Sequence, residues 1–193
     1  MPGNMEAREA HYARFFGPLG PTVYHSNRRF NPHIDIYPYP PSGRRDYWTL
    51  ITGGMSDRAQ KIPKSARGEI SPFTEIVMYA HEVRDWMLGG LSALAEHPFR
   101  EKTFLHLWHS FGTGEPLVEG SIFAGFVCLP PIGEPEDFDS LCLPAGKVDF
   151  LWAVPVTAAE LEFKIKNGPE ALMHLFQERG LDMVIDEDRE SMV

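Results

Sequence analysis

His33 and Asp35 stand two residues apart in a stretch that alternates apolar and polar side chains, so on an extended strand both project from one face. His106 and His109 stand three apart, a spacing that puts both on one side of a helix. Neutral imidazole nitrogens and a carboxylate oxygen are the donor set of a zinc-type cation, which lowers the pKa of a bound water to about 7. A metal-dependent hydrolase using His33, Asp35, His106 and His109 is therefore one chemical reading. Against it, neither pair carries the His-Glu-x-x-His pattern that also supplies a base. Eight histidines in 193 residues make such spacings common by chance. The plainer reading is a sheet face whose His and Asp side chains bond locally.

Other chemical signatures fail on inspection. Gly54-Met55-Ser56-Asp57 is followed by Arg58, so the second glycine of a nucleophile elbow is missing. Gly112-Thr113-Gly114 lacks the third glycine of a dinucleotide loop, and no Gly-Lys-Ser/Thr phosphate loop occurs. Cys128 lies in an apolar run, where a buried thiol is reduced and inert. Asp186, Glu187 and Asp188 read as a solvated acidic patch. Neither an enzyme nor a cofactor is expected.

The elements that position these residues follow from periodicity. Met5, Tyr12, Phe15 and Phe16 fall at helical spacing before Gly17-Pro18. Residues 33–39, 47–52, 75–80 and 123–129 are short strand-like runs, and the polar segment holding Ser56, Asp57, Lys61, Lys64 and Arg67 reads as an exposed loop. Asp85 caps a helix that ends at His97-Pro98, a second helical patch covers 104–108, and 112–120 is irregular. Residues 148–156 are apolar on both faces, which predicts a central strand. Thr157-Ala158-Ala159-Glu160 is a capping box opening a helix closed by Gly168, and Pro169 and Gly180 bracket another.

No repeat, linker or compositional break divides the chain. The expectation is one α+β domain over residues 1–193, a mixed sheet covered by helices, with its core over about 10–185 and an acidic C-terminal tail. No apolar run approaches the ~20 residues that cross a bilayer, and the first residues lack a signal-peptide pattern. A cytoplasmic protein is expected, with no membrane partner. Eighteen Lys and Arg against 27 Asp and Glu leave a net charge of −9, which disfavours nucleic acid and favours a cationic partner.

Three blocks then carry a resemblance. His33-Ile34-Asp35-Ile36-Tyr37, the run from Tyr47-Trp48-Thr49-Leu50 through Gly53-Gly54-Met55-Ser56-Asp57, and Phe150-Leu151-Trp152-Ala153-Val154 continuing to Thr157-Ala158-Ala159-Glu160-Leu161 resemble the successive blocks of the Suppressor of fused (Sufu) domain family. The resemblance implies a non-enzymatic, Sufu-like α+β binding domain. Animal members hold Gli-family transcription factors in the cytoplasm, and bacterial single-domain members have been proposed as immunity proteins that neutralise toxins. A chain of 193 residues lacks room for the second domain of the animal clamp on a Gli peptide, so the compact bacterial type is the nearer likeness. The positions matching the animal peptide groove are Leu50, where a tyrosine is typical, and Val148 to Phe150.

The residues permit that role. An open strand edge can accept an extended partner segment by backbone pairing. Tyr37, Tyr47 and Trp48 are candidate aromatic anchors, and acidic groups such as Asp57 suit a basic toxin domain or extended peptide. Core packing is the competing role for each aromatic.

Overall fold

A strand with apolar side chains on both faces must be covered on both, and the nine residues Asp149–Thr157 are paired along both edges and buried almost throughout. This is a computed structural model, and it describes residues 4–26, 30–43 and 45–193. In chain order the described residues form α1 (Asn4–Phe16), β1 (Tyr24–His25), β2 (Asp35–Tyr39), β3 (Trp48–Gly53) and β4 (Thr74–Ala80). There follow α2 (Asp85–Arg100), β5 (Ser110–Gly112), β6 (Phe123–Leu129), the hairpin β7 (Cys142–Leu143) and β8 (Gly146–Lys147), β9 (Asp149–Thr157), α3 (Ala158–Asn167) and α4 (Pro169–Arg179). The main sheet runs β1-β2-β3-β4-β9-β6-β5. Only the β4–β9 pair within it is parallel, so this is the mixed sheet of an α+β domain.

Period-2 alternation divides the core into two layers. On one face Tyr37, Ile51, Val77, Tyr79, Trp152 and Val154 pack with Tyr12 and Phe16 of α1 and with Leu172 and Phe176 of α4. On the other, Ile36, Leu50, Ile76, Met78, Leu151 and Cys128 pack under Met87, Leu91 and Leu94 of α2. Burial pushes the Cys128 thiol up to about 12, which keeps it protonated and unreactive.

The structure departs from the sequence reading in three places. First, α2 runs through Pro98 to Arg100, because a proline so near the end forfeits only one backbone bond. Asp85 is its first residue, and Arg84 occupies the cap. Second, residues 104–108 are not helical. Lys102 and Trp108 take positive φ values of 54° and 70°, and the backbone donors of Leu105 and Trp108 go to Gln60 Oε1 (2.6 Å) and the Cys128 carbonyl (2.7 Å) rather than to the preceding turn. Third, the segment read as an exposed loop buries Ser56, Gln60 and Ile62.

The capping box at Thr157 forms as read: Glu160 N–H donates to Thr157 Oγ1 (3.1 Å), and Thr157 N–H to Glu160 Oε2 (2.9 Å). The same carboxylate fastens the end of the chain, accepting two bonds of 2.7 Å from Arg189 and one of 3.0 Å from Met192 N–H. Burial alone would raise the Glu160 pKa, but Arg189 and these N–H donors overcome it and hold the carboxyl below its ordinary 4.5. A depressed folded pKa contributes stability that is complete above the ordinary value and lost as pH falls through the folded one. Urea unfolding should therefore show stability falling from about pH 5 to about pH 3 more steeply in the parent than in Glu160→Gln. At neutral pH Arg189→Ala should cost about 3 kcal/mol or more, because it strands a buried carboxylate.

Candidate partner-binding surface

Strand register gathers a distinctive group of side chains at one end of the sheet. Trp48 pairs with Ala80 and Pro38 with Leu50, so the start of β3 lies beside the end of β2 and the end of β4. The Gly20 N–H donates to the Pro38 carbonyl at 3.0 Å, an approach that only glycine allows, since a Cβ there would lie 2.7 Å from that oxygen. Pro21 and Thr22 are thereby held alongside Pro38. The result is a groove of about 280 Å³ lined by Pro21, Thr22, Tyr24, Pro38, Trp48 and Val83, with Glu82 on its border. That volume is below the roughly 300–1,000 Å³ of small-molecule pockets and suits individual side chains of a polypeptide.

A second feature adjoins it. The Ile185 N–H donates to the Tyr79 carbonyl at 2.9 Å, and Ile185 bridges Ala80 in parallel. This lays residues 186–188 beside residues 81–84. Glu82, Asp182, Asp186, Glu187 and Asp188 line the resulting cleft of about 530 Å³, together with His81 and Arg84. Arg84 pairs with Glu82 at 3.0 Å and with Glu187 at 3.5 Å, and all three are well exposed. Five carboxylates around one guanidinium leave a surplus of negative potential, and Glu82 borders both cleft and groove. An apolar slot with an aromatic wall thus continues into an anionic trough.

The far end of β3 is built differently. Gly54, at φ 110°, turns the chain so that a Cβ there would lie 2.1 Å from the His33 carbonyl oxygen. That turn aims the Gly54 and Ser56 N–H groups at Oε1 of the buried Glu75, each at 3.0 Å, where Ser56 Oγ also donates at 2.6 Å. Thr52 Oγ1 donates to the other oxygen at 2.7 Å. Arg8 of α1 lies 3.8 Å from Glu75 and grips Asp57 with two bonds of 2.6 and 3.1 Å. Burial opposes the Arg8 charge, and Asp57 and Glu75 more than restore it, raising its pKa. Asp57 is accordingly engaged by α1, and some 17 Å of strand separates Trp48 from Gly53 beside it.

The other residues singled out in the sequence are placed as follows. Leu50, Val148 and Phe150 are fully or almost fully buried, Leu50 in the α2 layer and the other two in the α1 layer. Tyr37 is 5% exposed and closes over Gly53, and its burial pushes the phenol up to about 12. Tyr47 is half-buried edge-on to Tyr79, 5.7 Å between ring centres, with Arg45 held over it by Glu134. Trp48 faces the groove. His33, Asp35, His106 and His109 do not converge: His106 lies 3.6 Å from Asp149 of β9, and His109 sits beside Cys128 of β6. From β2, the β9 strand beside His106 lies three strand spacings away, roughly 14 Å, and the β5 edge beside His109 five spacings, roughly 24 Å.

This architecture can be compared with known proteins. A family model described as Suppressor of fused protein (SUFU) matches residues 31–190. The chain belongs to the Suppressor of fused family. No curated protein matches it. Among solved structures, a Suppressor of fused homologue from Neisseria gonorrhoeae FA 1090 is similar with a TM-score of 0.74 and 18% identity, covering 98% of this chain and 97% of that one. The structure of the Sufu–Fu complex gives 0.71 and 16%, covering 99% and 93%. Drosophila Suppressor of Fused gives 0.67 and 15%, with 99% of this chain matched to 51% of that protein. At these identities the shared property is the fold.

Sequence reasoning missed Tyr24, Glu82 and Asp182, since only strand pairing and the Ala80–Ile185 bridge bring them to Trp48. It also missed Glu75, whose place beside hydrophobic residues gave no sign of its four donors. Glu75→Ala should lower stability by about 3–5 kcal/mol, because it leaves Arg8 with one carboxylate and strands buried donors. Asp57→Ala should cost less, since Arg8 keeps Glu75. Urea midpoints of the two variants at neutral pH check the order.

Proposed function

We propose that this Suppressor of fused domain is a non-enzymatic cytoplasmic binding protein that sequesters a cationic protein partner, and that neutralisation of a bacterial toxin is its setting. The observation that carries this reading is the continuity between the Trp48 groove and the anionic trough at one end of the sheet. An extended basic segment would place an apolar side chain against Trp48 and Tyr24, and its Lys or Arg side chains along Glu82 and residues 186–188. The two-residue strand β1 is a sheet edge beside the groove, available for backbone pairing with such a segment. Its shortness makes side-chain anchoring the larger contribution.

In this proposal Trp48 is the anchor and Tyr47 supports it from the neighbouring position. Leu50 supports the strand that carries Trp48 from the α2 layer, whereas Tyr37, Val148 and Phe150 lie in the α1-side core toward the Glu75 end and act only by fixing the sheet. Asp57 acts through Arg8 by fixing α1. The net charge of −9 and the bacterial source of one fold relative both fit a basic toxin domain. Support for a protein partner also comes from the Sufu–Fu complex, in which a protein of this fold is seen with another protein.

Capture from the native organism, run in parallel with the parent chain, Trp48→Ala and a Glu82→Lys/Glu187→Lys/Asp188→Lys variant, tests the reading. The parent should retain one stoichiometric Lys/Arg-rich partner. Trp48→Ala should weaken it by about 2 kcal/mol or more, and the charge-reversed chain should abolish the salt dependence of capture. Co-expression of the parent should rescue growth in cells that make the captured toxin. A partner held equally by all three chains would contradict the proposed surface, and the absence of any reproducible partner would contradict the function.

A further inference from the structure

His25 lies directly opposite Asp35 in the β1–β2 ladder, and His33 precedes Asp35 by two residues along the same extended chain. Cross-strand partners and i,i+2 neighbours share a face, so the three side chains must project together. They do. His25 Nδ1 and His33 Nε2 each lie 3.0 Å from the same oxygen, Asp35 Oδ1, and the donor atoms of all three residues fall within 4.8 Å of one another. The two imidazoles are nearly parallel, 18° apart, with centres 6.1 Å apart.

Three features separate this cluster from ordinary surface ion pairing. The Asp35 side chain is 13% exposed, yet among the described residues its enclosed Oδ1 accepts no hydrogen bond. Both ring nitrogens approach that oxygen without making a well-directed hydrogen bond to it. Finally, the cluster is anchored by the ladder: Ser26 N–H donates to the Ile34 carbonyl at 3.1 Å, and Ile34 N–H to Ser26 Oγ at 3.2 Å. A buried carboxylate oxygen left without a donor is costly, and a cation between it and two imidazole lone pairs would satisfy all three.

We infer that His25, His33 and Asp35 form a binding site for a divalent transition-metal cation of the zinc type. Ligand bonds of about 2.0–2.2 Å need the donor atoms some 3–4 Å apart, which small side-chain rotations achieve from the observed positions. His25 and His33 are 57% and 44% exposed, so the remaining coordination positions face solvent. The ion would clip the two-residue edge strand to β2, across the chain reversal that joins them. The site differs from the four-residue set suggested by sequence spacing, because it replaces His106 and His109 with a cross-strand histidine.

The test is isothermal titration of chelator-treated protein with zinc chloride at neutral pH, followed by thermal melts with and without zinc. The parent should bind one ion per chain and melt at a higher temperature with zinc present. His25→Ala, His33→Ala and Asp35→Asn should each weaken binding by about tenfold or more and abolish the melting shift. His174→Ala, an exposed histidine on α4, should behave like the parent. The two histidine variants alter exposed side chains, so either alone suffices if the Asp35 variant fails to fold. Absence of saturable one-to-one binding, or binding unchanged in the His25→Ala/His33→Ala double variant, would overturn the site.

Discussion

The carboxylate of Glu75 is the point on which the rest of the structure turns. It sits at the start of β4, the middle strand of seven, with no access to water. An ion so placed is tolerable only if donors replace its hydration, and the chain supplies them from Thr52, Gly54 and Ser56, with Arg8 behind. Meeting that demand fixes the turn after β3, the positive φ at Gly54 and the docking of α1 through the Arg8–Asp57 pair. Because side chains alternate along a strand, register fixed at one end of β3 also decides what its other end presents.

What that other end presents is the Trp48 groove. No residue of the groove or the anionic trough takes part in the Glu75 network, yet their positions follow from it strand by strand. Trp48 is placed by β3, Glu82 and Val83 by the exit of β4, and residues 186–188 by the Ile185 bridge to Ala80. The trough also depends on the Glu160–Arg189 pair, which ties down the chain just beyond it. Two buried carboxylates thus hold a surface whose own charges remain in solvent. This division suits a binding protein: the scaffold is preorganised, and the exposed acids, in excess over Arg84, leave a negative field that steers a partner.

Much of the fold was legible because its signals are local. The Thr157–Glu160 capping box, the Pro169 and Gly180 brackets and the double-sided apolar pattern of β9 each need only a few neighbouring residues to be read. The alternation of Ile34 and Ile36 against His33, Asp35 and Tyr37 likewise assigned faces correctly. Residues 104–108 were misread because helical spacing was present while their backbone donors had tertiary partners that no local pattern reveals. The candidate site was less legible. Apolar type alone does not distinguish a core residue from a partner contact: Leu50, Val148 and Phe150, named from resemblance, are buried, Leu50 behind the Trp48 end of β3 and the other two toward the Glu75 end of the sheet. His33 and Asp35 were noticed, but His25 was not, because only the ladder between two short strands makes it their neighbour.

Hydrogen exchange of the amide groups, compared between the free chain and its complex with the captured partner, locates the contact surface. New protection is expected over residues 21–24, 46–50, 81–84 and 182–188, at the Trp48 end of the sheet, with exchange around Gly54 and Ser56 unchanged. Protection confined to β5 or to the Gly54 end, with the Trp48 end exchanging as in the free protein, would contradict the proposed surface.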